Sequence, residues 1–265
     1  MHGSLQSALE WAVSEYHRGR PLVLLFDYDG TLTEFTDRPS EAKLSGDVVH
    51  ALEAVAGLPR VTAGIVSGRA LADLKQSANV PGLCYAGSSG LEFEYEGQTI
   101  THPLVAHSTR LVEEVASGLE ALLREFPGAW VERRPFGITV HYREVDGKLV
   151  STLLAELEQK LSVWDERLHV VTGAKAVEIT PNLGWTKGTA VQLLLERVGE
   201  RDCIVLYAGD EAADVEALWN VGIHHGIAIG VGPAPCTTAE YNLANTQAVL
   251  HLLEELGCAL GCGSA

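Results

Sequence analysis

Short apolar runs without polar alternation recur along this chain, and a cluster of small polar residues follows each one. Residues 22–26, 61–66 and 203–208 are the clearest, with Leu, Val, Ile, Ala and Phe side by side as in strands covered on both faces of a parallel sheet. Residues 226–229 add a fourth run. Between them, apolar side chains return every three or four positions. Leu5, Leu9, Ala12, Val13 and Tyr16 do so, as do Val48, Val49, Leu52 and Val55, and so do residues 185–198 and 248–256; each stretch predicts an amphipathic helix. Strand, helix and strand in this order imply a right-handed crossover and parallel neighbours, so the strand ends share one edge. Residues 83–86, 91–95 and 99–100 extend the sheet, the last two joined by a Glu96-Gly97 turn, and the glycine-rich tail from Gly257 reads as frayed.

The pattern changes after Pro103. A helical stripe at Leu111, Val112, Val115, Leu119, Leu122 and Leu123 leads to strands at 129–134 and 137–143. A second stripe at Val150, Leu153, Leu154, Leu157 and Leu161 leads to strands at 167–172 and 175–179. This α-β-β-α-β-β order lacks parallel crossovers and marks a separate antiparallel domain between two proline-containing joints. The expected architecture is α/β: a Rossmann-like parallel-sheet core from residues 1–102 and 181–265, with an inserted α+β cap over 103–180 acting as a lid.

Composition narrows the partners. A chain of 265 residues with 46% hydrophobic and 20% charged residues is an ordinary globular protein, long enough for two cores. Its formal net charge of −16 disfavours nucleic acid, whose phosphates would be repelled. Cys84, Cys203, Cys236, Cys258 and Cys262 form no C-x-x-C pair and read as reduced thiols of a cytoplasmic protein. No apolar stretch approaches the roughly 20 residues that span a bilayer. Oligomeric state is left open, a monomer included.

Chemistry gathers at the strand ends. The run 22–26 ends in Asp27-Tyr28-Asp29-Gly30-Thr31, the run 61–66 in Ser67-Gly68-Arg69, and the run 203–208 in Gly209-Asp210-Glu211-Ala212-Ala213-Asp214. Lys187 stands where the helix over 185–198 opens. Any one cluster could be a polar turn, but on a parallel sheet they converge where ligands bind. Two carboxylates one residue apart repel by about 4 kcal/mol at close range, which points to a hard, oxygen-ligated cation such as Mg2+ between them. A hydroxyl and an ammonium beside them suit phosphate oxygens, and the set suits phosphoryl transfer. Asp27 is placed to attack phosphorus, and Asp29 to protonate the departing alkoxide and then deprotonate water.

These motifs, in this order, resemble the haloacid dehalogenase superfamily. Over about residues 20–256 the chain is further similar to the trehalose-6-phosphate phosphatase family, through Val131-Glu132-Arg133-Arg134, Val140-His141-Tyr142-Arg143, Val177-Glu178-Ile179-Thr180-Pro181 and Trp185-Thr186-Lys187-Gly188. The resemblance implies magnesium-dependent hydrolysis of trehalose 6-phosphate through an aspartyl-phosphate. It makes Asp27, Asp29, Ser67 and Lys187 catalytic, and Thr31, Ser67, Gly68, Arg69, Arg143 and Lys187 phosphate contacts. It assigns Glu132, Arg134, Lys175 and Glu178 to the sugar, and the metal to Asp27, the Asp29 carbonyl, Asp210 and Asp214. Period-two alternation independently groups Glu132 with Arg134, and Thr139 with His141 and Arg143, on polar strand faces. Ser89 stands where the family carries His, Arg134 where it carries Lys, and Val215 where it carries Glu. Another sugar phosphate, a sugar phosphomutase and a non-catalytic phosphosugar sensor stay open as alternatives. Trp130, Trp164 and Trp219 read as packing residues.

Overall fold

The structure, a computed structural model, describes residues 3–36, 41–103, 105–173, 175–198, 202–210, 212–233 and 236–261. In chain order the first segment holds α1 (Leu5–His17), β1 (Leu22–Phe26), α2 (Gly46–Ala56), β2 (Val61–Val66), α3 (Leu71–Ser77), β3 (Cys84–Gly87), β4 (Glu92–Tyr95) and β5 (Gln98–Thr101). The next holds α4 (Val105–Leu123), β6 (Trp130–Arg134), β7 (Gly137–His141), α5 (Gly147–Leu161), β8 (Leu168–Thr172) and β9 (Ala176–Pro181). The last holds α6 (Lys187–Val198), β10 (Ile204–Gly209), α7 (Val215–Ile223), β11 (Ile227–Val231), β12 (Tyr241–Leu243) and α8 (Thr246–Gly261). The chain forms two compact units, Met1–Ile100 with Thr186–Ala265, and Thr101–Trp185.

The first unit is built on an eight-stranded sheet in the order β12-β11-β10-β1-β2-β3-β4-β5, parallel from β12 to β3 and antiparallel at β4. Every residue of β1 is buried because its two faces are both covered. Leu22, Leu24 and Phe26 join the cluster formed with α1, α2, α3 and α8, while Val23 and Leu25 point to the opposite face. Helix starts are set locally: Ser4 Oγ accepts from Ser7 N, and Ser45 Oγ from Val48 N. Glu96 and Gly97, both at positive φ, make the tight turn between β4 and β5.

Register decides where chemistry can occur. Phe26 lies beside Ala208 on one side and Ile65 on the other. The residues that follow these three strands, Asp27, Ser67 and Asp210, therefore leave the sheet along one edge.

The second unit is a four-stranded antiparallel sheet, β6-β7-β9-β8. One face buries Ile138, Val140, Val177 and Ile179 against Val112, Val115 and Leu119 of α4 and Leu153 and Leu157 of α5. Its two ends meet, with the rings of His102 and Trp185 at 4.4 Å. No helix among the described residues is long and apolar enough to cross a membrane.

Several elements differ from the sequence pattern. The strand expected over 137–143 ends at His141, with Tyr142 N still bonded to Lys175 O one register step further along. The last helix continues to Gly261 instead of fraying at Gly257, whose bare backbone faces Val55 and Ala54 of α2. Trp130 and Trp219 are exposed (49% and 58%) instead of packed. Glu211 and Cys262 lie outside the described residues.

Close packing between strands leaves no room at Gly64 of β2: a Cβ there would lie 2.2 Å from Cys84 Sγ and 3.0 Å from the Cys84 carbonyl oxygen. Gly64→Ala is expected to destabilise the sheet by about 1–3 kcal/mol through overpacking. Thermal denaturation followed by circular dichroism checks this, and an unchanged midpoint would contradict the packing described.

Candidate active site

The loop after β1 is held tightly. The Tyr28 carbonyl accepts from Leu32 N and Thr33 N, each at 3.0 Å, and Gly30 N donates to Thr33 O at 2.8 Å. Tyr28 itself is fully buried, its hydroxyl donating to Ala42 O at 3.0 Å. Gly30 has a φ of +84°, and a Cβ at that position would lie 2.1 Å from Asp210 Oδ2. Only glycine lets the loop pass this close to that carboxylate.

Asp27, Asp210 and Asp214 gather at this edge, one carboxylate oxygen of each within 4.8 Å of the others. Lys187, the first residue of α6, enters between them. Its Nζ donates to Asp27 Oδ1 at 2.6 Å and to Asp214 Oδ1 at 2.9 Å. The Tyr207 hydroxyl, from inside β10, donates to the same Asp214 oxygen. Asp27, Asp214 and Lys187 are all buried. Burial pushes the Asp27 carboxyl well above its usual range, and the charges of Asp214 and Asp210 add to this while Lys187 opposes it. Asp210 is pushed up to about 7, first by burial and then by Asp214. For Lys187 burial pulls the ammonium down, but Asp214 and Asp27 more than compensate and hold it well above its usual range.

Three carboxylates share one ammonium in a desolvated place, and ionising all three would leave two negative charges uncompensated. Asp210 Oδ1 is buried without a hydrogen-bond partner. Such an atom is costly unless a ligand meets it. An all-oxygen donor set that can carry two surplus negative charges fits a hard divalent cation, which Asp27 and Asp210 could hold directly with Asp214 behind them.

The second carboxylate of the loop has a different partner. Arg69 Nε donates to Asp29 Oδ2 at 2.6 Å, and Arg69 Nη2 to Asp29 Oδ1 at 2.5 Å. The guanidinium lies 4.7 Å from the Tyr28 ring centre and is 6% exposed, so this fork is rigid. Ser67 is buried, and its Oγ accepts from Arg69 N at 3.1 Å, leaving its own hydrogen free to donate. The segment 67–69 is braced by Ser89 N on Ser67 O and Ser88 N on Arg69 O, and both serines hold left-handed backbone. Thr31 is fully buried, with Oγ1 unpartnered.

In the second unit Glu132, Arg134 and Glu178 come together: Arg134 Nη1 is 3.3 Å from Glu178 Oε1 and Nη2 is 3.4 Å from Glu132 Oε2. His141 Nε2 lies 2.7 Å from Glu132 Oε2. Burial alone would raise the Glu132 carboxyl, but His141 and Arg134 outweigh it and bring it down to about 2. Arg143 and Lys175 are exposed, in the turns after β7 and before β9. Tyr207 and Tyr28 escape sequence reasoning; the one available signal is a tyrosine set in an otherwise aliphatic buried run or between two aspartates.

The trehalose-phosphatase family pattern matches residues 25–247 of this chain. The chain is 31% identical over 260 residues to "Probable trehalose-phosphate phosphatase D" of Arabidopsis thaliana, covering 92% of this chain and 69% of that one. It is 32% identical over 216 residues to the trehalose-phosphate phosphatase of Mycobacterium tuberculosis, covering 80% of this chain and 54% of that one. It thus spans about half to two thirds of the length of these relatives. The C-terminal domain of Candida albicans trehalose-6-phosphate phosphatase has the same fold, with a TM-score of 0.85 at 22% identity over 97% of this chain and 98% of that one. This fold is haloacid dehalogenase-like. With the family's pattern running from β1 to α8, the chain belongs to the trehalose-phosphatase family.

Proposed function

We propose that this protein is a magnesium-dependent phosphomonoesterase that hydrolyses trehalose 6-phosphate to trehalose and phosphate. The observation that carries this reading is the buried Asp27–Lys187–Asp214 chain beside Asp210, at the carboxyl edge of a parallel sheet. Asp27 attacks phosphorus with the carboxylate oxygen that Lys187 does not bond; the bond from phosphorus to the sugar oxygen breaks, and an aspartyl-phosphate forms. Asp29 acts once released from the Arg69 fork that occupies both its oxygens in this structure. Carrying a proton, it gives that proton to the departing sugar oxygen, then takes one from the water that cleaves the acyl phosphate and regenerates Asp27. Lys187 and Ser67 hold the transferring oxygens, with Thr31 and the Gly68 backbone close by on the same edge. Asp27 and Asp210 would hold a magnesium ion, which would supply charge neutralisation for the phosphoryl group. The cap carries the sugar contacts in this reading, through Glu132, Arg134, Lys175 and Glu178, with Arg143 nearer the phosphate. Support for a sugar phosphate comes from the family and from the names its relatives carry.

Phosphate release from a panel of sugar phosphates tests the substrate. Trehalose 6-phosphate is expected to give the highest kcat/KM, and chelation of divalent metal is expected to abolish turnover, with magnesium restoring it. An isomerised sugar phosphate without free phosphate would identify a mutase instead. Asp27→Asn is expected to remove turnover while the circular dichroism spectrum stays that of the wild type; residual activity near wild type would remove Asp27 as nucleophile.

Arg69 gives a further expectation, because its fork positions both oxygens of the carboxylate that this reading assigns to the leaving group. Arg69→Gln is expected to slow a sugar phosphate, whose alkoxide needs that proton, by about 10²-fold or more. p-Nitrophenyl phosphate, whose leaving group needs none, is expected to slow far less. Equal losses on both substrates would assign Arg69 a phosphate contact instead.

A further inference from the structure

The turn after β3 is strained. Ser88 and Ser89 lie in the left-handed region at φ of +49° and +55°, and Gly90 follows at +96°. Two successive residues with side chains adopt that backbone at a cost, and they persist only where surrounding bonds over-determine them. Here the bonds run to the segment that carries Ser67. Ser88 N donates to Arg69 O at 2.6 Å and Ser89 N to Ser67 O at 2.8 Å, so the turn grips both ends of Ser67-Gly68-Arg69. Before the turn the packing is just as close: a Cβ on Gly87 would lie 2.5 Å from Leu71 N.

One carboxylate joins this turn to the helix that follows the segment. Glu92 opens β4, and its Oε2 accepts from Ser88 Oγ at 3.1 Å and from Leu71 N at 3.0 Å. Leu71 is the first residue of α3, and the preceding Ala70 brings no side-chain cap, so a neighbouring strand supplies the acceptor that the helix start lacks. Two positions along, on the same side of β4, Glu94 takes Lys75 of α3 on both oxygens, at 2.5 and 2.6 Å. The antiparallel direction of β4 makes this possible. Glu92 pairs with Gly87, the last residue of β3, so β4 starts at the edge where the parallel strands end.

We infer that Glu92 is a positioning residue for the phosphoryl site. Through Ser88 and Leu71 it fixes the segment 67–69 from both sides, and with it the Ser67 hydroxyl and the Arg69 fork on Asp29. It acts through these groups and not on the substrate itself. Its leverage is geometric, since misplacing a reacting or binding group by an ångström costs about 10²-fold in rate. This rests on the reading above that Ser67 holds an oxygen of the transferring phosphate.

The experiment compares the full-length chain, in the presence of magnesium, with Glu92→Ala, Glu92→Gln and Ser88→Ala. Its first readout is calorimetric binding of inorganic phosphate at millimolar concentration, which involves neither sugar nor turnover. Glu92→Ala is expected to weaken phosphate about tenfold. Ser88→Ala is expected to weaken it severalfold, because Leu71 N keeps its acceptor. Glu92→Gln is expected to bind nearly as the wild type does, since one amide oxygen can accept both bonds. The second readout is kcat/KM on trehalose 6-phosphate and on p-nitrophenyl phosphate, which Glu92→Ala is expected to lower about tenfold or more on both. A Glu92→Ala protein that melts lower yet binds phosphate as the wild type does overturns the positioning role and leaves Glu92 a brace for α3. Equal losses in Glu92→Gln and Glu92→Ala overturn the bonding scheme. Ser88→Ala removes a single hydroxyl and carries the test if Glu92→Ala does not fold; unchanged phosphate affinity in it overturns the inference. Weakened phosphate binding in the variants supports the inference even if trehalose 6-phosphate is not turned over, in which case the assigned substrate fails alone. No phosphate binding by the wild type overturns the inference together with the phosphate site it serves.

Discussion

Carboxylates that repel one another out of reach of water are the constraint around which the core is arranged. Asp27, Asp210 and Asp214 sit within one cluster, and the Lys187 ammonium is bonded to two of them. Breaking such a network by removing one partner leaves an uncompensated buried charge, a loss of about 3–5 kcal/mol in comparable cases. The arrangement persists because each charge is fixed by a scaffold that cannot easily relax. Asp27 leaves a strand covered on both faces, Asp214 is clamped by Lys187 and Tyr207, and Asp210 fits against a glycine with no side chain to displace it. Strain of this kind turns into binding energy when a divalent cation arrives.

Sequence distance adds to the constraint. Lys187 and Asp27 are separated by 160 positions, and the whole of the second unit lies between them. The site is therefore incomplete until α6 and β10 dock on the half-sheet formed by the first hundred residues. A closure of that length costs chain entropy that grows only slowly with loop size, so the insert can be a folded body of its own without penalising the core.

What the sequence reveals follows from how each element is buried. Strands covered on both faces announce themselves as continuous apolar runs, so β1, β2 and β10 and the polar residues at their ends are legible. Helix α7 is not, because Val215, Trp219 and Ile223 face solvent and blur its amphipathic stripe. The tyrosines are illegible for the opposite reason: in the interior their rings look like packing, and only coordinates reveal that Tyr207 bonds Asp214 and that Tyr28 lies under Arg69. Arg69 reads from sequence as a phosphate contact, yet two of its donors are spent on Asp29. Trp130 reads as packing, yet it lies on an edge strand with its ring stacked on His141 and 49% of its surface exposed.

The two units differ most in how they treat charge. In the core, phosphoryl chemistry needs positive groups, and the surplus of carboxylates leaves that requirement to Lys187 and, in the reading proposed above, to a metal ion. In the cap sheet the arginine lies between two glutamates, so its positive charge is already spent within the protein. An Arg in that bridging geometry is not interchangeable with Lys, since its planar fork reaches both carboxylates at once. The substitution of Arg134 for the family's lysine thus tightens the acidic floor instead of adding a free cation. A floor locked in this way, with its one arginine already paired to two carboxylates, leaves Arg134 little charge to offer an anion.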